Sequence, residues 1–326
     1  MPVEEPAPGL LRIRLPLPYE LNHVYVHLVR RQDGWMLIDT GLGDAACTDL
    51  LDESLIEAGV QWRDIRDVFL THTHPDHVGG AREILKRTEA RLWMSEGERH
   101  WLHHHSPTAH AADWFVPVVT AAGASAAEVE IMDSAFDSVR HVFQPLEPDR
   151  LLYGGETIST TIGPLETIHT PGHAAGHLCL YQRGRRLLLS GDHILTNITP
   201  NISWISGRDM LGEYHDSLDR VAPLEVDEIL PSHGKPFTGL LPWIADSKRH
   251  HEERCQMICA ALNGGGRTAR DILPALWDRD FNAWNLRFAL FEVLAHLEHL
   301  ARRNRVRPIG GTSPDEGRIL YWENVP

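Results

Sequence analysis

Alternation with period two opens the chain. Leu11-Arg12-Ile13-Arg14-Leu15 alternates apolar and polar positions, parts of Val24 to Val29 do the same, and Trp35 to Ile38 follows the turn Gln32-Asp33-Gly34. These runs predict the opening strands of a sheet. Ala46 to Ala58 predicts a helix. Further on, Val68-Phe69-Leu70, Arg91 to Met94, Leu165 to Ile168, Leu187-Leu188-Leu189 and Glu228-Ile229-Leu230 read as strands, with Ala81 to Arg87 helical between the first two. Strand, tight loop, helix is the order of open α/β sheets, which place their chemistry at the C-terminal ends of strands.

Two stretches depart from this rhythm. Residues 95–150 form a long excursion carrying Trp101, Trp114, Phe115, Met132, Phe136 and Phe143, with helical segments near Gly97 to His105 and Ala126 to Arg140. It is either a lid or pocket wall, whose aromatics would imply an apolar or acyl-bearing substrate, or a structural insertion. Glu213 to Val221 reads as an amphipathic helix in which Tyr214 fits a core position better than a catalytic one. The tail then changes character. Asn263-Gly264-Gly265-Gly266 breaks the long helix Leu240 to Leu262, another helix starts at Thr268, and Leu286 to Arg302 keeps leucines at helical spacing. Val306 to Ile309 and Arg318 to Trp322 predict a hairpin across Gly310-Gly311. The expected division is therefore a domain over residues 1–250 and a winged-helix-like domain over 251–326.

Candidate chemistry gathers where strand-like runs end. Thr71-His72-Thr73-His74-Pro75-Asp76-His77 follows Leu70, and His169-Thr170-Pro171-Gly172-His173 follows Ile168. Ser190-Gly191-Asp192-His193 follows Leu189, and Pro231-Ser232-His233-Gly234 follows Leu230. Imidazole and carboxylate are the usual ligands of zinc and similar divalent ions. One histidine-rich loop alone would read as a solvated turn. Four such loops, each beside Gly or Pro, are expected to converge on one edge of a sheet as a metal centre. The first loop cannot easily send His72, His74, Asp76 and His77 to a single ion, so it points to two sites. His169 and His193 are expected to face away, because strand side chains alternate. His103-His104-His105, which lacks a carboxylate partner, reads as solvated surface, as do His110, His250 and His251. Asp39, in Ile38-Asp39-Thr40-Gly41, could cap the helix that follows.

The series HTHPDH (72–77), TPGH (170–173), GDH (191–193) and SHG (232–234), preceded by IDTG (38–41), resembles the metallo-β-lactamase superfamily of hydrolases over roughly residues 10–240. The resemblance implies an α/β fold, the αββα sandwich, with a dinuclear site. Carried over by position, His72, His74 and His173 would hold one metal, Asp76, His77 and His233 the other, and Asp192 would bridge them. Asp39 and His177 would support the site from behind. An intact Asp76-His77 pair, and no cysteine where Asp192 stands, is similar to the hydroxyacylglutathione hydrolase, lactonase and RNase Z branches. The tail likewise resembles the small domain appended to one group of these hydrolases that includes endoribonucleases.

The chain has 326 residues and a formal charge of -14, which disfavours wholesale binding to phosphate backbones. The last 76 residues are locally balanced, and Arg302, Arg303, Arg305 and Arg307 cluster there. This cluster is either a nucleic-acid footprint or, as the acidic balance favours, a solvated helix end on a scaffold or dimer contact. Cys47, Cys179, Cys255 and Cys259 show neither a paired framework nor zinc-ribbon spacing, which fits a reducing compartment. No apolar leader opens the chain and no run is long enough to span a membrane, so the expectation is a soluble, cytoplasmic protein. Two cations about 3.5–4 Å apart can share a bridging water and make it a hydroxide near neutral pH, with Asp76 and Asp192 orienting it. The leading expectation is hydrolysis of carboxylic thioesters, esters or lactones with two zinc ions, manganese or iron also being accepted by such ligands. The alternative is a metal-dependent phosphodiesterase or endoribonuclease.

Overall fold

The computed structural model describes residues 3–104, 112–143 and 145–325, so that His105 and His110 fall outside it. Packing gathers Met1–Ser106, Val142–Pro200 and Asp219–Leu240 into one unit and Pro107–His141, Asn201–Leu218 and Leu241–Pro326 into another. Each packing unit thus draws on more than one stretch of the chain.

The first unit is built on two sheets. One has the order β1 (Val3–Ala7), β2 (Leu10–Pro16), β3 (His23–Arg30), β4 (Trp35–Ile38), β5 (Ile65–Phe69), β6 (Arg91–Ser95) and β7 (Arg150–Leu152). Its first four strands are antiparallel and the rest parallel. The connections supply α1 (Ala45–Glu57), α2 (Pro75–Val78), α3 (Ala81–Arg87) and α4 (Glu96–His104). The second sheet contains β8 (Thr157–Ile158), β9 (Leu165–His169), β10 (Leu178–Gln182), β11 (Leu187–Gly191) and β12 (Glu228–Pro231), in the reverse spatial order and antiparallel except for β11 with β12.

The sheets share one apolar core. Leu10, Val29, Met36, Ile38, Phe69 and Trp93 of the first meet Leu165, Leu178, Leu180, Leu187, Leu189 and Leu230 of the second. The ligand-bearing loops therefore issue from two facing sheets, β5 in one and β9, β11 and β12 in the other, and not from one sheet edge as the sequence implied. Alternation does not predict β1, which carries two glutamates and Pro6. It is an edge strand, where charge and proline are tolerated because no second neighbour needs its backbone donors.

The second unit explains the interleaving. It holds α5 (Ala112–Ala121), α6 (Ala126–Arg140), most of α7 (Met210–Val221) and α8 (Leu240–Ala261), then α9 (Ala269–Leu276), α10 (Ala283–Arg302) and the hairpin β13 (Val306–Ile309) and β14 (Tyr321–Asn324). Phe115 of α5 stacks on Phe136 of α6 at 5.5 Å and on Phe291 of α10 at 6.1 Å between ring centres. Aromatics of the 95–150 excursion thus complete the core of the C-terminal segment. α5 escapes sequence reading because Pro117 lies inside it. The last strand lies further on than the expected Arg318–Trp322, after a 3-10 turn at Pro314–Glu316 that lengthens the connection. His251 is buried, not on the surface, with Nδ1 3.2 Å from His296 Nε2. Tyr214 is buried too, its hydroxyl 3.2 Å from Ser247 Oγ. All four cysteines are unpaired. Among the described residues no helix is long and apolar enough to cross a membrane.

His27, opposite Arg12 in the β2–β3 register, is buried. Burial, helped by the Arg12 charge, lowers its pKa from 6.5 to about 3. The unfolded chain therefore takes up the proton first as pH falls, so stability is unaffected above about pH 6.5 and is lost progressively below it, by up to about 1.4 kcal/mol per pH unit. Urea midpoints measured from pH 7 to pH 4 should accordingly fall more steeply for the wild type than for His27→Gln.

Candidate metal centre

Each loop is turned by a local cause. At the end of β4, Asp39 adopts φ 60°, a left-handed conformation that Asp tolerates better than most residues, and its N–H donates to Phe69 O at 2.8 Å. The carboxylate then accepts from Thr71 N (2.8 Å) and Thr71 Oγ1 (2.8 Å), and from His77 Nδ1 (2.9 Å). Asp39 is not the cap of α1; Asp44 is, accepting from Cys47 N at 2.8 Å. After Thr71 the chain reaches His74, the N-cap of α2, and Pro75 starts that helix with its ring-fixed φ. Asp76 and His77 thereby fall in the first turn, on the same side as His72.

The second sheet delivers the rest. Gly191, at φ 52°, lets β11 turn, and a Cβ there would stand 2.5 Å from His177 Nε2, so only glycine fits. His177 Nε2 accepts from Asp192 N at 3.1 Å, and its Nδ1 lies 2.9 Å from Thr170 Oγ1. His177 thus fixes the backbone of Asp192. His233 Nδ1 lies 2.7 Å from His23 O, which makes Nδ1 the donor and leaves Nε2 to face inward.

All seven candidate ligands from the sequence come together. The ligand atoms of His72, His74 and His173 lie within 4.8 Å of one another, as do those of Asp76, His77 and His233, and those of His72, His77 and Asp192. Asp192 stands at the centre: Oδ1 is 3.4 Å from His77 Nε2, while Oδ2 is 3.3 Å from His233 Nε2 and 3.6 Å from His173 Nε2. Asp76 Oδ2 lies 3.2 Å from His233 Nε2 and 3.7 Å from His77 Nε2. His77 Nε2 and Asp192 Oδ1 are buried without a hydrogen bond of good geometry among the described residues, an arrangement that suits a cation between them. Neither His169 nor His193 belongs to these groups.

The two halves differ in charge. Burial, reinforced by neighbouring imidazoles, holds His72 well below the ordinary histidine value and His74 at about 3, so their rings are neutral with lone pairs free for a metal. Burial opposes charge on His77 and His233 as well. Asp192 and Asp76 outweigh it, raising His77 well above its usual value and His233 to about 10. The carboxylates respond in kind: burial would raise both, but the two imidazoles lower Asp76 to about 2 and Asp192 further.

Two supporting residues are invisible to the sequence reading. Glu98, in the first turn of α4, is buried; Oε2 accepts from Thr73 N (2.8 Å) and Thr73 Oγ1 (2.6 Å), and Oε1 from Gly176 N (2.6 Å). It ties the 71–77 loop to the loop bearing His173. Arg12, nominally a polar position of an alternating strand, is fully buried and donates to Pro231 O (3.0 Å) and Gly234 O (2.7 Å), clamping the loop of His233. Nothing in the spacing of Glu98 or Arg12 sets them apart from surface charges. His103, expected to have no carboxylate partner, has Glu147 Oε1 at 3.0 Å from its Nε2.

Comparison with known proteins places this geometry. The chain belongs to the metallo-β-lactamase superfamily, whose model matches residues 20–233, and residues 255–314 match the metallo-β-lactamase-like C-terminal domain. It is 25% identical to a probable metallo-hydrolase of Bacillus subtilis over 97% of this chain and 98% of that one. It is 26% identical to the acyl-coenzyme A thioesterase MBLAC2 of Homo sapiens over 66% of this chain and 75% of the relative. A metallo-β-lactamase family protein of Thermus thermophilus is similar in structure, with a TM-score of 0.83 at 28% identity, covering 98% of this chain and 99% of the other.

Glu98→Gln removes one of two carboxylate oxygens that between them serve three buried donors. It should lower stability by about 1–3 kcal/mol and weaken metal uptake roughly 10–100-fold, read by urea unfolding and by competitive chelator titration.

Proposed function

We propose that the chain is a divalent-metal-dependent hydrolase of carboxylic thioesters and related esters or lactones. The observation that carries this reading is the position of Asp192, whose two oxygens face imidazoles of both ligand groups, His173 on one side and His77 and His233 on the other. His72, His74 and His173 would hold one ion, Asp76, His77 and His233 a second, and Asp192 would serve both. The donors are imidazole nitrogens and carboxylate oxygens with no thiolate, a set that fits zinc and is also accepted by manganese or iron. Ions bound there would supply Lewis acidity and lower the pKa of water toward neutrality.

The chain's own residues would position protons and water. Asp39 holds the Nδ1 proton of His77, leaving Nε2 directed into the site. Among the site carboxylates Asp76 is the most open, with 18% of its side chain accessible against 8% for Asp192. It is therefore the group best placed to accept a hydrogen bond from incoming water and orient it for attack.

Acyl substrates are favoured over phosphodiesters for two reasons. Relatives named as thioesterases include the acyl-coenzyme A thioesterase and an atrochrysone carboxyl ACP thioesterase of Passalora fulva, 25% identical over 88% of this chain and 74% of that one. The arginines of the C-terminal segment are also matched singly with carboxylates: Arg302 with Glu298 (2.7 Å), Arg303 with Asp209 (3.1 Å), Arg305 with Glu252 (3.6 Å) and Arg307 with Glu323 (2.6 Å). A phosphate backbone would have to displace each pairing.

The expected outcome is that protein loaded with zinc or manganese hydrolyses acyl-coenzyme A thioesters or acyl homoserine lactones and leaves short single-stranded RNA intact. Asp192→Ala should lower kcat/KM roughly a thousandfold and reduce bound metal below two ions per chain by elemental analysis. Cleavage of the RNA alone would overturn the reading.

A further inference from the structure

Arg287, on α10, is surrounded by aromatic rings. Its guanidinium carbon is 5.0 Å from the ring centre of Phe136, 5.3 Å from Phe288, 5.7 Å from Phe291, and 5.9 Å from both Phe115 and Trp284. Among the described residues it has no carboxylate at ion-pair distance, and its Nε is sealed from solvent with no hydrogen-bond partner. The residue as a whole is only partly covered, and its two Nη nitrogens are not among the sealed atoms. The acid nearest in sequence, Glu292, is engaged elsewhere, accepting from Asn201 Nδ2 at 2.9 Å and interacting with Arg254.

A guanidinium placed against apolar rings without a counter-ion is costly, and ring faces offset only part of that cost. The apolar surroundings lower its pKa to about 10, so it is still a cation at neutral pH. As a structural hub alone it would be a poor choice, because methionine of similar length would fill the same space without the charge. A planar fork with open Nη nitrogens, flanked by the half-buried Trp284 and the exposed ring of Phe288 and backed by the buried rings of Phe115, Phe136 and Phe291, matches one carboxylate borne on an apolar body. A phosphate dianion would call for a second free cation. The other one at Phe136, Arg140, is already paired with Asp133 at 3.3 Å and Asp137 at 3.1 Å.

We infer that Arg287, with Trp284 and Phe288 beside it, forms a receptor for an organic carboxylate with an apolar or aromatic body. The site lies wholly within the second unit, and the inference does not depend on the hydrolytic reading. Calorimetric titration of the full-length, metal-loaded protein with 4-phenylbutyrate, 4-phenylbutyramide and phenyl phosphate tests it. The wild type should bind the carboxylate at least roughly tenfold more tightly than the amide and more tightly than the phosphate. Arg287→Met should lose the discrimination while melting no lower than wild type, and Arg287→Lys should retain a weakened part of it. Equal affinity of the wild type for carboxylate and amide, preference for the phosphate, or discrimination that survives in Arg287→Met would each overturn the inference. Should Arg287→Met fail to fold, the comparison of probes on the wild type still decides.

Discussion

Two buried carboxylates that accept hydrogen bonds from loop donors hold the site in place. Asp39 takes Thr71 N, Thr71 Oγ1 and His77 Nδ1, while Glu98 takes Thr73 N, Thr73 Oγ1 and Gly176 N. Each buried donor left without an acceptor costs about 1–3 kcal/mol, so the 71–77 loop has few alternative conformations of comparable energy. The ligand side chains inherit that rigidity. His72 and His77 are oriented before any cation arrives, which limits the ordering that binding must itself impose.

Charge is arranged on this rigid frame in a graded way. One end of the site gathers imidazoles that burial keeps neutral; the other sets imidazoles against Asp76 and Asp192 so that protons are held tightly. A divalent cation can replace those protons, and a like-charged imidazolium pair would repel if the carboxylates were absent. The position of Asp192 between the halves depends on His177, and through Gly191 on the absence of a side chain at a single residue. Because the loops come from facing sheets, the spacing of the two halves is also set by the apolar layer from Leu10 to Leu230.

The candidate ligands were legible because their chemistry is concentrated: imidazoles and carboxylates stand beside Gly or Pro at the ends of apolar runs. Strands with alternation, such as β2, and helices with clear caps, such as α6 behind Ser125, were legible for the same local reason. Residues whose role is created by packing were not. Arg12 and Glu98 look like surface charges until the fold seals them, and His251 looks like an exposed helix residue until α10 brings His296 to it. The packing of the 95–150 excursion against α10 was hidden too, since it rests on Phe115 meeting Phe291 across more than half of the chain.

That last contact has a consequence for how the chain is made. Synthesis delivers α5 and α6 well before α10, an interval on the order of ten seconds at ordinary elongation rates. During it the ring faces of Phe115 and Phe136 have each other but not Phe291. The strands from β7 to β12 are synthesised in that same interval. The order of synthesis therefore imposes a period of exposure to self-association that the finished protein no longer shows, and the C-terminal segment acts late in folding as the cover that ends it.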